Sequence, residues 1–310
     1  MTQLPDTQVT AAPAARLPGY PAPLRWLAAA AATARPRQWP KNLLVFAAPL
    51  AGATLGRADG IAYALVAAAA FVAASSSVYF INDLVDAERD RRHPDKCARP
   101  IASGQLPEAH VLPVAAGCAV VAAAAGLAIG ERRLTVVVCT YLCLSFLYTL
   151  LLKHVPFVEM MFVAAGFLLR ALGGAAATHV RPSGWFLLVC SLGAFMVAIA
   201  KRFTELRALG AEAVRHRPVM AWYSPGLLRA SQRLVVTLVI GAYLIWASTE
   251  HAVWMRDWHL ASVLPLTAAL IRFDYLTARA SSKAVEDLIS RDPVMLSCEL
   301  AWLVTFAVGL

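Results

Sequence analysis

The sequence predicts an all-α polytopic membrane protein with about nine transmembrane helices. Three observations predict it. First, the 310-residue chain is 59% hydrophobic and only 15% charged, where a soluble domain carries about 25% charge; mean hydropathy is +0.61. Second, the apolar residues fall into runs of roughly 17–22, the length a helix needs to cross about 30 Å of hydrocarbon. Third, basic residues collect on alternate connections, as the positive-inside rule requires of a multi-pass chain.

Residues 1–33 begin with a Pro-, Ala- and Thr-rich stretch that has no apolar core. They are expected to form a cytoplasmic tail without fixed structure, neither signal peptide nor span. Residues 34–310 are expected to form one membrane domain. Its spans are expected near 42–58, 61–81, 111–130, 134–152, 157–178, 185–200, 234–250, 259–276 and 295–310. The first is the weakest, short and interrupted by Pro49 and two glycines. The second contains "LVAAAAFVAA", whose small side chains let helix backbones approach in lipid. With the N-terminus inside, segments 1–41, 82–110, 153–156, 201–233 and 277–294 hold 21 of the 28 Lys and Arg residues. The outer connections hold Arg57, Arg132, Arg133, Arg181 and Arg256, and Arg170 and Arg272 fall within spans. The net charge of +9 is therefore mostly a property of the cytoplasmic face of a cell membrane, and nothing here calls for nucleic acid. Five of the six cysteines lie in expected helices and Cys97 in an inner connection, which argues against a disulfide framework.

Two inner connections, 82–110 and 201–233, are each close to 30 residues, and long connections are commonly functional. The first opens with "NDLVDAERD" at 82–90. On a continuing helix, with about 100° per residue, Asn82, Asp83, Asp86 and Asp90 occupy one arc of about 100°, while Glu88 points away. Carboxylates this close repel one another unless a cation sits between them. Hard oxygen donors on a shallow face suit Mg²⁺, which takes one or two carboxylates plus waters and phosphate oxygens. The alternative is a solvated helix end whose acids offset nearby arginines. The next residues, "RDRRHPDKCARPIASG", place Arg89, Arg91, Arg92, Lys96 and Arg99 beside the acids. Acids for a metal, flanked by cations, are the combination that a diphosphate needs.

"NDLVDAERD" with "HPDKCARPIASG" resembles the signature of the UbiA-type prenyltransferase superfamily, over nearly the whole chain after about residue 33. The resemblance implies a UbiA-type intramembrane prenyltransferase fold in which Asn82, Asp86 and Asp90 bind Mg²⁺-diphosphate with Asp83 assisting. It makes Asp83, Asp86 and Asp90 the candidate catalytic acids, and Lys96 and Arg99 candidate diphosphate contacts. "YTLLLKHVPFVEMMFVAAGFLLRALGG" resembles the family's tyrosine-and-lysine segment, with Tyr148 and Lys153 as the matches. They are five residues apart where four is the tighter pattern, and Glu159 stands where an aspartate is expected.

Family members that prenylate aromatic rings carry a second acidic motif in the later cytoplasmic connection. Here that region reads "AKRFTELRALG", and no aspartate occurs between 201 and 256. Lys201, Arg202 and Glu205 share a helix face instead. With "ARPRQWPKNLLVFAAPLAG" at 34–52, this variant resembles the decaprenyl-phosphate phosphoribosyltransferase branch. That branch joins ribose 5-phosphate from phosphoribosyl diphosphate to a polyprenyl phosphate, towards cell-wall arabinan. A phosphate acceptor is already dianionic near neutral pH, so it needs cations rather than a base. Lys201 and Arg202 fit that need, as do Arg35, Gln38 and Lys41 ahead of the first span; interfacial anchoring explains the same cations equally well. Two other readings stay open at this point: a prenyltransferase with an aromatic acceptor, and, more remotely, a transporter of an anionic metabolite or lipid. So does assembly into homo-oligomers.

Overall fold

The structure, a computed structural model, describes residues 22–93, 96–210, 212–216, 218–249, 253–280, 285 and 291–310. Among these every regular element is a helix. Helix α1 spans Ala22–Thr33, a 3₁₀ segment spans Pro36–Phe46, and the short α2 spans Ala47–Ala51. Then come α3 (Ala58–Val85), α4 (Ala87–Arg91), α5 (Glu108–Ala128), α6 (Arg132–Leu150) and α7 (Val158–Ala177). The remainder are α8 (Gly184–Leu209), α9 (Glu212–His216), α10 (Pro225–Ser248), α11 (Val253–Arg279) and α12 (Pro293–Val308). Part of the expected tail is therefore helix: α1 is an alanine-rich helix whose Ala29 joins a buried cluster with Phe80, Leu106 and Val111. Residues 1–21 of that tail lie outside the described residues.

Seven helices among the described residues, 19 to 28 residues long, are long and apolar enough to cross a membrane: α3, α5, α6, α7, α8, α10 and α11. They define a multi-pass membrane protein. Large apolar side chains such as Val120, Val136, Leu234, Leu264 and Ile271 stand exposed around the bundle, a surface that water would not tolerate but lipid would. The other two of the nine expected spans take different forms. The last is α12, only 16 residues. The first is not a regular α-helix, because Pro40 and Pro49 each remove a backbone donor and crowd the preceding turn. The segment winds as 3₁₀ helix instead, and with α2 it extends about 30 Å. Glycines on α7 let it lie close. A Cβ on Gly174 would come within 1.8 Å of the Val45 carbonyl oxygen, and one on Gly173 within 2.2 Å of Phe71 Cε2.

Successive long helices pack side by side, α3 on α5, α5 on α6, α6 on α7, α7 on α8, α8 on α10, and α10 on α11. Two buried clusters result. One joins α3, α5, α6 and α7 with Val45, and the other joins α7, α8, α10 and α11. N-caps fix the starts of α10 and α12: Ser224 accepts from Leu227 N at 3.1 Å and Asp292 from Met295 N at 2.8 Å, each followed by a proline at the first helical position.

The two long connections shrink once helices are assigned. α8 runs nine residues beyond the expected end at 200, and α10 starts nine before the expected 234, leaving 210–224 between them. Hydropathy ends where lipid ends, but the helix continues through residues with good helix propensity such as Lys201, Arg202, Glu205 and Leu206. Likewise 96–107 is folded, with Ile101 and Leu106 buried.

Candidate active site

The acid stripe lies where α3 passes into α4. Asp86 breaks the helix at φ −90°, ψ 0°, yet Asp86 N donates to Asn82 O (3.0 Å) and Asp90 N to Asp86 O (2.8 Å). The helical register therefore survives the break, and Asp86 and Asp90 stay one turn apart on one face. Glu88, expected to point away, is exposed and pairs with Arg91. Asp83 and Asp90 are buried at 3% exposure each, while the Asp86 side chain keeps 24%.

Each stripe acid holds a cation brought from elsewhere in the chain. Arg35 reaches Asp83 from the turn after α1, where its backbone adopts the left-handed region (φ 55°) and its guanidinium lies over the Tyr79 ring. Arg99 bridges two acids, with Nη1 3.1 Å from Asp83 Oδ1 and 2.6 Å from Asp90 Oδ2. Lys153, from the turn between α6 and α7, donates to Asp86 Oδ1 at 2.7 Å. Lys96 is half-buried and forms no ion pair among the described residues; burial, then the charge of Arg99, holds its ammonium below the ordinary lysine range. Gln38 accepts from Lys41 on the 3₁₀ segment. Tyr148 stacks on Phe162 rather than meeting the acids.

The same α6–α7 turn carries a second cluster. Glu159, with no exposed surface, takes a two-pronged contact from Arg202, Nε to Oε1 at 2.5 Å and Nη2 to Oε2 at 2.7 Å. Arg202 also donates to Glu205 Oε2 at 2.8 Å and is 7% exposed. Tyr223 donates to Glu159 Oε1 (3.3 Å) and accepts from Phe157 N (2.9 Å). Burial, with the Glu159 charge beside it, raises the Tyr223 hydroxyl above its usual range and keeps it a donor. Phe157 sits at φ 62°, an uncommon conformation for a bulky residue, held by this bond and by edge-to-face contact of the two rings at 5.4 Å. Lys201 Nζ lies 5.9 Å from the centre of the Phe167 ring. Thus 152–159 joins the two sequence-predicted regions, through Lys153 to Asp86 and through Glu159 to Arg202. Tyr223 and Phe157 carried no sequence signal: an aromatic residue in a connection reads as neither ligand nor brace.

Among the described residues no three His, Cys, Asp or Glu side chains are grouped to hold a metal ion by themselves. Mg²⁺ does not require such a cage. Asp86 and Asp90 each bind a cation through one carboxylate oxygen and, among the described residues, take no hydrogen bond at the other. Two hard oxygens one helical turn apart fit an Mg²⁺ that completes its shell with water and phosphate.

The paired acids and cations are gathered by helices long and apolar enough to cross a membrane, which makes the chain a multi-pass membrane protein with a charged site. The chain belongs to the UbiA prenyltransferase family, whose pattern matches residues 24–290. It is 35% identical over 277 residues to the decaprenyl-phosphate phosphoribosyltransferase of Mycobacterium tuberculosis, covering 87% of this chain and 90% of that one. To the enzyme of the same name from Mycolicibacterium smegmatis it is 34% identical over 291 residues, covering 89% and 90%. The structure of a UbiA homolog from Archaeoglobus fulgidus bound to DMAPP and Mg²⁺ superposes with a TM-score of 0.67 at 14% identity, covering 92% of this chain and 96% of that one.

Proposed function

We propose that the chain transfers 5-phosphoribose from phosphoribosyl diphosphate to a polyprenyl phosphate of the decaprenyl class, releasing diphosphate, at the cytoplasmic face of the cell membrane. The product would feed arabinose donors for cell-wall arabinan. The observation that carries the reading is the sharing of Asp83, Asp86 and Asp90 among Arg35, Arg99 and Lys153, beside a second region whose two acids both lie on Arg202. The likeness to phosphoribosyltransferases over most of both chains supports it.

The chemistry follows from those groups. The bond from ribose C1 to diphosphate breaks, the electron pair leaves with diphosphate, and a polyprenyl phosphate oxygen bonds to C1. Mg²⁺, held by Asn82, Asp86 and Asp90, would neutralise charge on the departing diphosphate. With those carboxylates so engaged, Lys153 and Arg99 would be released from Asp86 and Asp90 to donate to diphosphate oxygens, with Lys96 and Arg35 as further donors. The acids thus hold the cations in place until the donor arrives. The acceptor phosphate, with a second pKa of about 6, attacks without a general base. Lys201, Gln38 and Lys41 hold its oxygens in this account, and Tyr148 lines the approach. Arg202 and Glu205 brace the turn that carries Lys153.

The test offers purified protein two substrate pairs with Mg²⁺: phosphoribosyl diphosphate with polyprenyl phosphate, and polyprenyl diphosphate with an aromatic acid. Turnover of the first pair alone, lost in Asp86→Ala, is expected. Turnover of the second alone would return the protein to the aromatic prenyltransferases.

A further inference from the structure

The turn that carries Lys153 is strained at one residue. Phe157 adopts φ 62°, ψ −44°, and Val158 N donates across it to Pro156 O at 2.7 Å. This is a γ-turn of the positive-φ hand, which is rare and strained, and a bulky aromatic residue stands at its centre. Such a conformation persists only where the surrounding structure over-determines it. Lys153 precedes it in the 3₁₀ turn Leu152–His154, and Glu159 follows it in the first turn of α7. Both side chains are committed, Lys153 to Asp86 and Glu159 to Arg202. The backbone between them is short and has little freedom: Val155 N donates to Leu152 O (3.1 Å), and Pro156 fixes its own φ. The direction in which Lys153 leaves α7 is therefore set at Phe157.

Phe157 is held from a distant part of the chain. Its carbonyl accepts from Met160 N and Met161 N as α7 begins, and its N–H donates to the Tyr223 hydroxyl at 2.9 Å, across 66 residues. The two rings meet edge to face at 5.4 Å. Tyr223 is a firm post. It is 5% exposed, and its own N donates to Met220 O at 3.2 Å. It follows the 3₁₀ turn Pro218–Trp222, whose Val219 and Met220 are buried in the same apolar cluster, and precedes Ser224, the N-cap of α10. A contact that served stability alone would not need a strained partner, since a relaxed turn would be more stable still.

We infer, on the proposed reading of Lys153 as a diphosphate contact, that Tyr223 is a positioning residue: its hydroxyl clamps the γ-turn at Phe157 and so aims Lys153 at the donor's diphosphate. The connection between α8 and α10 thereby becomes part of the donor site without touching the donor. Tyr223 acts through the backbone at Phe157, whereas Arg202 anchors the side chain of Glu159 beyond it.

The experiment measures binding of inorganic diphosphate with Mg²⁺ to the full chain in detergent by calorimetry, beside the thermal midpoint. It compares wild type, Tyr223→Phe, Lys153→Met and the double variant. Tyr223→Phe keeps the ring and removes only the hydroxyl. It should weaken binding about fivefold, the factor of one neutral hydrogen bond, and Lys153→Met should weaken it at least tenfold. Because the hydroxyl acts through Lys153, the double variant should bind as Lys153→Met does. A Tyr223→Phe protein that binds as the wild type does, with only its midpoint lowered, would make the hydroxyl a fold contact and overturn the assignment. Losses that multiply in the double variant would mean that the hydroxyl reaches the diphosphate independently of Lys153, which also overturns it. A wild type that takes up no diphosphate would remove the proposed diphosphate site and this role with it. Uptake by the wild type that Tyr223→Phe leaves unchanged removes this role alone.

Discussion

Replacing Arg202 by Met should unfold the protein more readily without directly touching the substrate. Glu159 has no exposed surface; it accepts two hydrogen bonds from Arg202 and a longer one from Tyr223. Removing one member of a buried ion pair costs about 3–5 kcal/mol, because the surviving charge is left in a poor dielectric. At roughly 2–4 °C per kcal/mol, the midpoint should fall by about 10 °C. Glu159→Gln should cost less, about 1–3 kcal/mol, since Arg202 keeps Glu205. The double variant Glu159→Met, Arg202→Met removes both charges and should recover at least about 2 kcal/mol of the summed losses. Thermal unfolding by circular dichroism in detergent measures all three. Lys201→Met is the contrast: it should leave the midpoint unchanged and raise KM for polyprenyl phosphate. An Arg202→Met protein as stable as wild type, with only KM raised, would refute the bracing role and assign the guanidinium to the acceptor.

Lys153→Met should lower kcat/KM for phosphoribosyl diphosphate at least tenfold, the cost of about one charge-assisted hydrogen bond, as steady-state kinetics would show; an unchanged kcat/KM would remove Lys153 from the diphosphate contacts. Gly174→Ala should dislodge the 3₁₀ segment, because the new methyl meets the Val45 carbonyl oxygen at 1.8 Å. A loss of about 1–3 kcal/mol or more is expected, read as faster proteolysis between α1 and α3. Lys96 supplies a pH dependence. Burial holds the free-site ammonium below the ordinary lysine range, and a bound phosphate raises it, so binding takes up a proton between the two values. Donor affinity should be full below the free-site value and fall as pH rises through it, and Lys96→Arg should remove that alkaline loss in equilibrium binding.

Much of this fold is legible from apolar run length, because lipid-crossing helices advertise themselves by composition. The first segment is the exception. Its hydropathy resembles a span, while Pro40 and Pro49 turn it into 3₁₀ helix and a short α turn, a backbone distinction that hydropathy does not encode. The acid stripe is legible because its spacing is helical and local, and even the break at Asp86 preserves the i to i−4 bonds. What joins the stripe to the rest is not local. Lys153 meets Asp86 across 67 residues, and Arg202 meets Glu159 across 43. The sequence pattern puts Lys201 and Arg202 side by side as candidate phosphate contacts. Packing gives them different neighbours, Arg202 buried on two carboxylates and Lys201 beside the Phe167 ring. Asn42 reads as one polar residue in an apolar run, and only the bundle shows that it faces Arg170.

The central claim is that ribose moves and diphosphate leaves. The most direct measurement uses two preparations of phosphoribosyl diphosphate, one labelled in the ribose and one in the β-phosphate, each incubated with the protein, polyprenyl phosphate and Mg²⁺ before phase extraction. The account predicts ribose label in the lipid phase and β-phosphate label in water, with the ribose label also left in water in EDTA or in Asp86→Ala. Both labels in the lipid phase, or neither with the wild-type protein, would contradict it.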